Sequence, residues 1–198
     1  MAKTSELIWL YVKRRPFVKD MLRYDLVNYS KLARRLCKDV FGSQEKFYAV
    51  KAALTRIGPK VRKKEMESER NVLYVLKNTS ISIKNKIVLI ISAKPLEIES
   101  TFLVKGRGFY TYIAERGEAA KFMRSKSIIS VEENLNLFAL SSTAEIESTP
   151  GVISTMLHML AAEGINVREF ISSYTDTFLV IRDADTSRAY ELLSSLTK

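Results

Sequence analysis

The chain of 198 residues has a single cysteine, a single histidine and no long apolar run. One cysteine excludes an intrachain disulfide framework and a cysteine-rich zinc site, because both require several thiols. No stretch of about 18 apolar residues is present, so a membrane-spanning helix is not expected. The first residues also lack the apolar segment of a secretory signal peptide, and we therefore expect a soluble, cytoplasmic protein.

Residue types and motifs that commonly carry catalysis are equally scarce. His158 falls in a predicted helix, where a structural or exposed position is expected. The segment Lys105–Gly108 lacks the Walker pattern of a phosphate loop, and its position between predicted strands indicates a hairpin turn. The two Glu-Ile-Glu motifs place carboxylates on one strand face, but no third ligand accompanies them. We predict neither an enzyme, nor a metal site, nor a cofactor.

Positive charge is concentrated at the N-terminus. The net charge is +10, and residues 1–64 hold 17 Lys or Arg against five Asp or Glu, whereas residues 65–198 hold 15 against 17. This asymmetry favours a module that faces a polyanion, joined to a module that does not. A basic face that only keeps the protein in solution is the alternative.

Helical periodicity runs through the basic region, 1–64. Thr4 or Ser5 can cap a first helix, and Pro16 either breaks it or opens the next helix. Asn28 or Ser30 can cap a third helix. We therefore predict a helical N-terminal domain.

The third helix is predicted to end at Gly42, and a fourth to run from Ser43 or Gln44 to the pair Gly58–Pro59. Two helices joined by a short turn have the form of a helix-turn-helix, although simple three-helix bundles share this pattern. In a helix-turn-helix, the fourth helix would enter the DNA groove.

Candidate nucleic-acid contacts come from the outward face of the fourth helix and from the basic segment after it. Lys and Arg side chains neutralise phosphates, and Gln and Arg can also read base edges. RNA is the weaker option, because no aromatic stacking motif is present. The candidates are Gln44, Lys46, Lys51, Thr55, Arg56, Lys60, Arg62, Lys63 and Lys64.

Residues 65–71 are predicted to be a charged linker. Apolar residues then alternate over 72–76 and again over 81–83, and Asn78–Thr79 is a predicted turn between two strands. This hairpin is either the wing of a winged helix or the first part of the next domain.

An internal repeat follows. The sequence Glu97–Thr101 recurs as Glu145–Thr149, at an offset of 48 residues. Apolar residues of the preceding strands align at the same offset: Ile83 with Val131, Ile87 with Leu135, Leu89 with Leu137 and Ile90 with Phe138.

The second copy is predicted to contain a strand, a helix, two strands and a last helix. Its first helix starts after Pro150–Gly151 and ends at Gly164. In the first copy the spacing between the repeated pentapeptide and the late strand is much shorter. We therefore expect the first copy to lack about one helix and one strand.

The residues Thr149–Val152, Glu163–Val167 and Phe170–Ser173 resemble an ACT domain, most of all the regulatory ACT domains of aspartokinases. The resemblance covers residues 131–198 and, more faintly, 72–130. The pattern at 26–34 is similar to uncharacterised archaeal proteins that pair a helix-turn-helix-like segment with ACT domains. No kinase domain precedes these repeats in the sequence, so we do not expect an aspartokinase.

The resemblance implies an α+β protein with a basic helical domain (1–64) of helix-turn-helix or winged-helix-like form, followed by a linker (65–71). Two ferredoxin-like ACT repeats come next. The first repeat is truncated (72–130), and the second is complete up to its last helix (131–198). The usual final strand is missing from the second copy. The segment 72–76, the first copy or another subunit could cover that open edge.

ACT domains typically bind an amino acid between paired domains, at the turn before the first helix. A helix N-terminus offers unpaired N–H groups and partial positive charge to the ligand carboxylate. The Asn166 amide can accept from the ligand ammonium group or donate to its carboxylate, and Glu147 would pair with the ammonium group. The alternatives are a plain turn at Pro150–Gly151 and a local cap or strand-edge role for Asn166. The implied ligand residues are Glu147, Thr149, Pro150, Gly151, Val152, Ile153, Asn166 and Val167.

The first copy has Phe102–Leu103 where the second has Pro150–Gly151, so one ligand per chain is expected. We predict a homodimer through the ACT domains that acts as an amino-acid-responsive regulator of amino-acid metabolism and binds DNA through its N-terminal helices. The alternative is an amino-acid-sensing regulatory subunit of a metabolic enzyme, whose basic helices bind a protein.

Overall fold

In the computed structural model, residues 4–197 are described, and the chain divides into two compact units, Met1–Asn71 and Val72–Lys198. The first unit is helical and the second combines helices with one antiparallel sheet. The α+β class and the helical N-terminal region are therefore confirmed.

The first unit is built from four α-helices. They are α1 (Thr4–Lys13), α2 (Pro16–Arg23), α3 (Tyr29–Leu36) and α4 (Phe47–Lys77), and a π-helical turn, Cys37–Phe41, directly follows α3. Apolar side chains at helical spacing on α1 to α4 meet in one core, which includes Ile8, Leu22, Leu36, Val50 and Leu54.

Local sequence signals set the ends of these helices as predicted. Pro16 occupies the first turn of α2, where its missing N–H has no helical partner to lose. The Asn28 side chain caps α3 by accepting a hydrogen bond from the Lys31 N–H at 3.0 Å. Gly42 adopts a left-handed conformation (φ 67°) after the π-helical turn and ends the helical run. Cys37 is buried in the core, and burial raises the pKa of its thiol.

The predicted end of the fourth helix at Gly58–Pro59 is wrong, because α4 continues for 31 residues through this pair. The helix also begins later than predicted, at Phe47. A Cβ atom at position 58 would lie 2.3 Å from the Tyr29 hydroxyl, so glycine allows the close approach of that ring. Pro59 is on the exposed side of the helix, where the carbonyl that it leaves unpaired can reach water.

The predicted linker, 65–71, is therefore helical. Two of its acidic residues bind α2: Glu65 pairs with Lys19 at 2.8 Å, and Glu69 pairs with Arg23. These ion pairs lie on the stripe that faces α2, so the charges that suggested a linker are contacts between helices.

The predicted strand at 72–76 is also wrong. Val72, Val75 and Leu76 are buried in the core of the second unit, whereas Tyr74 is 57% exposed. Buried positions at i, i+3 and i+4 follow the helical period, and the alternation of 72, 74 and 76 is incidental. No wing is formed in this segment, because 72–77 completes α4 and the following residues enter a single long strand.

The second unit has a six-stranded antiparallel sheet in the order β2-β3-β1-β4-β6-β5. The strands are β1 (Ser80–Ser92), β2 (Phe102–Lys105), β3 (Tyr110–Glu115), β4 (Ile128–Ser141), β5 (Val167–Ser173) and β6 (Asp176–Arg182). The helices are α5 (Arg116–Ala119), α6 (Val152–Ala162) and α7 (Thr186–Leu196), and α6 and α7 bury their apolar faces with the end of α4.

The repeat of 48 residues is visible in the sheet. The paired central strands β1 and β4 share one burial pattern, with four buried residues at 87–90 and four at 135–138. Lys86 and Asn134, which the offset relates, both have a positive φ, 60° and 58°. The strand order is likewise symmetric about the pair of β1 and β4.

The first half of the sheet lacks a counterpart of α6, but it does contain a counterpart of the strand that follows α6, namely β2. β2 pairs with β3 as β5 pairs with β6, so the expected loss of one strand is wrong. β1 lies on the open side of β4 and supplies the neighbour that the second half lacks. Of the three candidates for covering that edge, it is therefore the first copy that covers it.

The repeated pentapeptides also share one packing role. Ile98 and Ile146 are half-buried and pack against the two helix-side cores, whereas the glutamates on either side of each isoleucine are exposed. Residues Ala144–Ser148 form a 3₁₀ turn, and 97–101 lie outside the strands, so the predicted strand face of carboxylates does not form.

Replacing Pro59 by Ala tests the long helix. Alanine restores a helical hydrogen bond and removes a steric conflict with the previous turn, although it also frees the unfolded chain. We expect the free energy of unfolding of the first unit to rise by about 1–2 kcal/mol, as measured by urea denaturation. The control Lys60→Ala, at the next exposed position, should change it by less than about 0.5 kcal/mol. A loss of stability in Pro59→Ala would show that a helix break at this position is native.

Candidate functional site

The turn before α6 places several predicted ligand residues together. Thr149 and Pro150 follow the 3₁₀ turn, and Gly151 caps α6 with a φ of 107°. Only glycine adopts this conformation readily. A Cβ atom at Gly151 would also approach Val72 Cγ2 to 3.3 Å, so the backbone lies close to the end of α4.

Hydrogen bonds fix the carbonyl of this turn, and no side chain in the described part of the chain caps its amides. The Gly151 carbonyl accepts from the Thr155 N–H and hydroxyl, both at 2.9 Å, and from the Ser154 hydroxyl at 3.0 Å. Within residues 4–197, no side chain caps the N-terminus of α6, and its first turn contains no acidic residue. The amides of Val152 and Ile153 therefore keep the partial positive charge of a helix start, which suits a carboxylate.

The acidic residues of the preceding 3₁₀ turn are exposed. Glu147 lies two residues before Thr149 and points into solvent-accessible space. In the same turn, the neighbouring Thr143 hydroxyl and then the backbone N–H lower the pKa of the Glu145 carboxyl. The Glu145 carboxylate therefore stays charged at neutral pH, and the exposed side chains of this turn can attract an ammonium group.

Two predicted ligand residues lie elsewhere. Asn166 and Val167 follow the C-terminal end of α6, whereas Gly151 precedes its N-terminal end. A helix of 11 residues spans about 16 Å, which is longer than a small amino acid. Within one chain, the α6 turn and Asn166 therefore cannot contact the same small ligand.

The basic candidates divide in the same way. Lys51, Thr55 and Arg56 share one exposed face of α4 and line a shallow, open depression together with Tyr48 and Ala52. Lys60, Lys63 and Lys64 extend the exposed basic surface along the helix. We call this surface, from position 48 to position 64, the α4 basic face.

Other basic candidates have partners. The Gln44 amide donates to the Arg34 carbonyl at 3.1 Å, and the Lys46 ammonium lies 4.7 Å from the centre of the Phe41 ring. Arg62 forms an ion pair with Asp25 at 2.6 Å. These contacts reduce the availability of Gln44 and Arg62 for nucleic acid.

The sequence interpretation missed Tyr48, whose side chain is 82% exposed at the N-terminal end of the α4 basic face. An exposed aromatic ring beside Lys51 can stack on a base or a sugar. Tyr48 precedes Lys51 by three residues and Thr55 by seven, and this helical spacing was the signal that could have placed it on the same face. The predicted helix start, three residues too early, did not mark it.

The structure offers no metal centre and no membrane span in the part of the chain that it describes. Among residues 4–197, no group of three His, Cys, Asp or Glu side chains could hold a metal ion. The helices in that range are all too short or too polar to cross a bilayer.

Comparison with protein families gives one match. Residues 130–195 match the ACT domain family. This segment starts in β4, carries the α6 turn and ends in α7, and we call it the ACT segment. No curated protein sequence matches the chain.

Solved structures share the fold. A Vibrio cholerae protein of unknown function, described as a possible transport protein, is 14% identical with a TM-score of 0.53 and covers 65% of this chain and 98% of its own. The aspartate kinase of Clostridium acetobutylicum is 13% identical with a TM-score of 0.50 and covers 60% of this chain. This chain spans only 35% of that enzyme.

The ligand-free regulatory subunit of the Thermus thermophilus aspartate kinase is 10% identical with a TM-score of 0.50, over 60% of this chain and 96% of its own. Residues 130–195 are therefore an ACT domain, and the sheet-containing unit shares its fold with structures of aspartate kinase and its regulatory subunit.

The backbone at Gly151 can be tested by substitution. Gly151→Ala forces a side chain into a strained conformation and toward Val72, and we expect a loss of about 1–2 kcal/mol in the free energy of unfolding. Gly164→Ala, with φ 72° and open space around its Cβ position, should cost less. Gly117→Ala, in α5, should be neutral. Equal stabilities of all three variants by thermal denaturation would contradict the strained turn.

Proposed function

We propose that the protein is an amino-acid-responsive regulator, which binds a small amino acid at its ACT segment and DNA through its N-terminal helices. The observation that carries the proposal is the ACT match at 130–195, together with the uncapped N-terminus of α6 inside it. Small zwitterions present the carboxylate that such a helix start attracts.

The ligand is held by the backbone of the α6 turn. The amides of Val152 and Ile153 receive the carboxylate, and Glu147 attracts the ammonium group. Asn166 lies about one helix length away, so it joins this site only when a second copy contributes it. The proposed functional form is therefore a homodimer through the ACT segments, in which each ligand contacts both copies.

The DNA-binding half rests on charge and exposure. The unit Met1–Asn71 holds 18 Lys or Arg against eight Asp or Glu, whereas Val72–Lys198 holds 14 of each. All of the excess positive charge therefore belongs to the helical unit. α3 and the N-terminal half of α4, joined by the turn at Gly42, serve as the helix-turn-helix, and the α4 basic face contacts the phosphates.

Ligand binding regulates DNA binding through the dimer. An amino acid that binds one arrangement of the two copies more tightly shifts the population toward it. The spacing of the two basic units then changes, and with it the affinity for two half-sites on DNA. Archaeal regulators that pair similar modules, as the sequence resemblance suggests, would work in the same way.

The second candidate is a regulatory subunit of a metabolic enzyme. It is favoured by the similarity in fold to the Thermus thermophilus regulatory subunit, 96% of which is covered. In that case the basic helical unit binds an acidic protein surface. The two candidates differ in whether a DNA duplex or a biosynthetic enzyme binds the Met1–Asn71 unit.

Amino-acid binding is tested by thermal denaturation in the presence of each of the twenty amino acids at millimolar concentration. Because a ligand that binds only the folded state stabilises it by mass action, a hundredfold excess over the dissociation constant adds about 2.7 kcal/mol. We expect a reproducible rise in the melting temperature with one or a few amino acids. No shift with any of them would contradict the sensor function.

DNA binding is tested by titrating a 20-base-pair duplex at several salt concentrations. We expect the affinity to fall steeply with salt, and the double variant Lys51→Gln/Arg56→Gln to lower the logarithmic slope by about 2, because each lost phosphate contact removes about 0.9. The charge-matched control Arg107→Gln/Lys126→Gln, in the second unit, should keep the slope. Equal slopes for both double variants would exclude the α4 basic face as the DNA contact.

A further inference from the structure

A cavity with polar and charged side chains lies in the ACT-containing unit, at the centre of the sheet. It has a volume of about 370 Å³, within the usual range for small-ligand sites. It opens where the two halves of the sheet meet and is distant from the turn before α6. Its lining consists of Asn85, Lys86, Ile87, Arg116, Asn134, Leu135, Asn136 and Asp183.

The backbone around this cavity is held in an uncommon conformation. Lys86 and Asn134 occupy equivalent positions of the repeat, in the middle of the paired strands β1 and β4, and both have a positive φ. The pairing of β1 with β4 also shifts register between Lys84 and Ile87. A lysine in the left-handed region is unfavourable, and such positions concentrate at functional sites when the surroundings fix them.

A buried amide ties the two sides of the cavity together. Asn136 is 2% exposed, and its amide group donates to Asp183 Oδ1 at 2.8 Å and to the Thr186 hydroxyl at 2.7 Å. Its carbonyl oxygen accepts from the Lys86 N–H at 3.3 Å. The offset of 48 places Val88 in the corresponding position of the first half, so this polar anchor belongs to the second half alone.

Charges of opposite sign face the cavity from the two halves. Arg116 directly follows β3, and Asp183 directly follows β6, at equivalent places beside the central strands. Lys86 adds a second cation, and Glu133 pairs with Arg116 at 3.2 Å. The hydrogen bond from Asn136 orients the Asp183 carboxylate, whereas the side chains of Arg116 and Lys86 are exposed and can adapt to a ligand.

We propose that this cavity binds the zwitterionic head group of a small amino acid, an inference that rests on the proposed sensor function and adds a second binding position to it. Arg116 and Lys86 receive the carboxylate, Asp183 receives the ammonium group, and the Asn134 amide completes the polar lining. A purely anionic ligand meets repulsion from Asp183, and a purely cationic ligand meets repulsion from Lys86 and Arg116.

The cavity is separate from the α6 turn. The turn follows the end of β4 at Ser141, and the cavity lies at Leu135, about 20 Å back along the strand. Asn166–Val167, by contrast, is at the same end of the sheet as the cavity. Val167 pairs with Ile181 on β6, and Ile181 pairs with Asn136 on β4. Val167 and Asn136 are therefore two strand spacings, or about 10 Å, apart.

The test uses calorimetric titration of the full chain with the amino acid that gives the largest thermal shift, and with its analogues that lack the amino or the carboxyl group. The variants are Asp183→Asn and Arg116→Gln. Their matched controls are Asp185→Asn, two residues away and outside the cavity lining, and Arg107→Gln, in an exposed loop. The melting temperature of each variant verifies that it folds, and Asp183→Glu restores the charge.

We expect each cavity variant to weaken binding at the cavity at least tenfold while binding at the α6 turn is kept, and each control to change either affinity less than twofold. In Asp183→Asn, the amino acid and its analogue without the amino group should bind equally well. In Arg116→Gln, the amino acid and its analogue without the carboxyl group should bind equally well. Asp183→Glu should recover part of the affinity.

Two results would overturn the inference in distinguishable ways. Unchanged affinity in both cavity variants, with a loss of affinity in Gly151→Ala, would leave the proposed sensor function intact and place the ligand at the α6 turn alone. Absence of binding by every amino acid would remove the proposed sensor function together with the cavity.

Discussion

The antiparallel pairing of β1 with β4 is the interaction on which the second unit depends. These two long strands form the centre of the sheet, and each half adds its remaining strands outward from them, β3 and β2 on one side and β6 and β5 on the other. Because residues 48 apart occupy equivalent positions, β1 covers the open side of β4 and β4 covers the open side of β1. Neither half could bury its first strand without the other.

This mutual coverage also explains where polar groups accumulate. The two left-handed residues of these strands, Lys86 and Asn134, lie near the midpoint of the pairing. The ladder is irregular at this point, so the amide of Asn136 must satisfy groups that a regular strand would pair. The same irregularity leaves a cavity, which is bordered by a cation from one half and an anion from the other.

Much of this arrangement could be predicted from the sequence wherever a local signal decides the structure. The caps at Asn28 and Gly42, the span of α6 and the strands after it all follow from short-range chemistry. The repeat of 48 residues likewise anticipated two related half-sheets. It could not reveal that β2 survives as a strand of four residues, because so short a strand is set by its partner β3.

The errors have a common cause in tertiary contacts. Gly58–Pro59 is a strong stop signal locally, but the Tyr29 ring and the ion pairs at Glu65 and Glu69 hold the helix in one piece. The alternation of apolar residues at 72–76 indicated a strand. The buried residues are instead those at i, i+3 and i+4, which is the pattern of a helix.

The separation of Asn166 from the α6 turn was equally invisible in the sequence. Residues on the two flanks of one helix are close along the chain and far apart in space. Under the proposed function, a ligand site that includes both the α6 turn and Asn166 would therefore need two copies of this chain, whereas the proposed site in the central cavity would need only one.

Coupling between ligand and DNA is the central claim, and one measurement tests it directly. A DNA duplex selected for tight binding is titrated by fluorescence anisotropy at fixed salt, without the stabilising amino acid and with it at saturation. Regulation predicts that the amino acid changes the DNA dissociation constant by about 5-fold or more, and that DNA changes the amino-acid dissociation constant by the same factor. Identical DNA titration curves, for a protein that demonstrably binds both ligands, would contradict a ligand-responsive regulator.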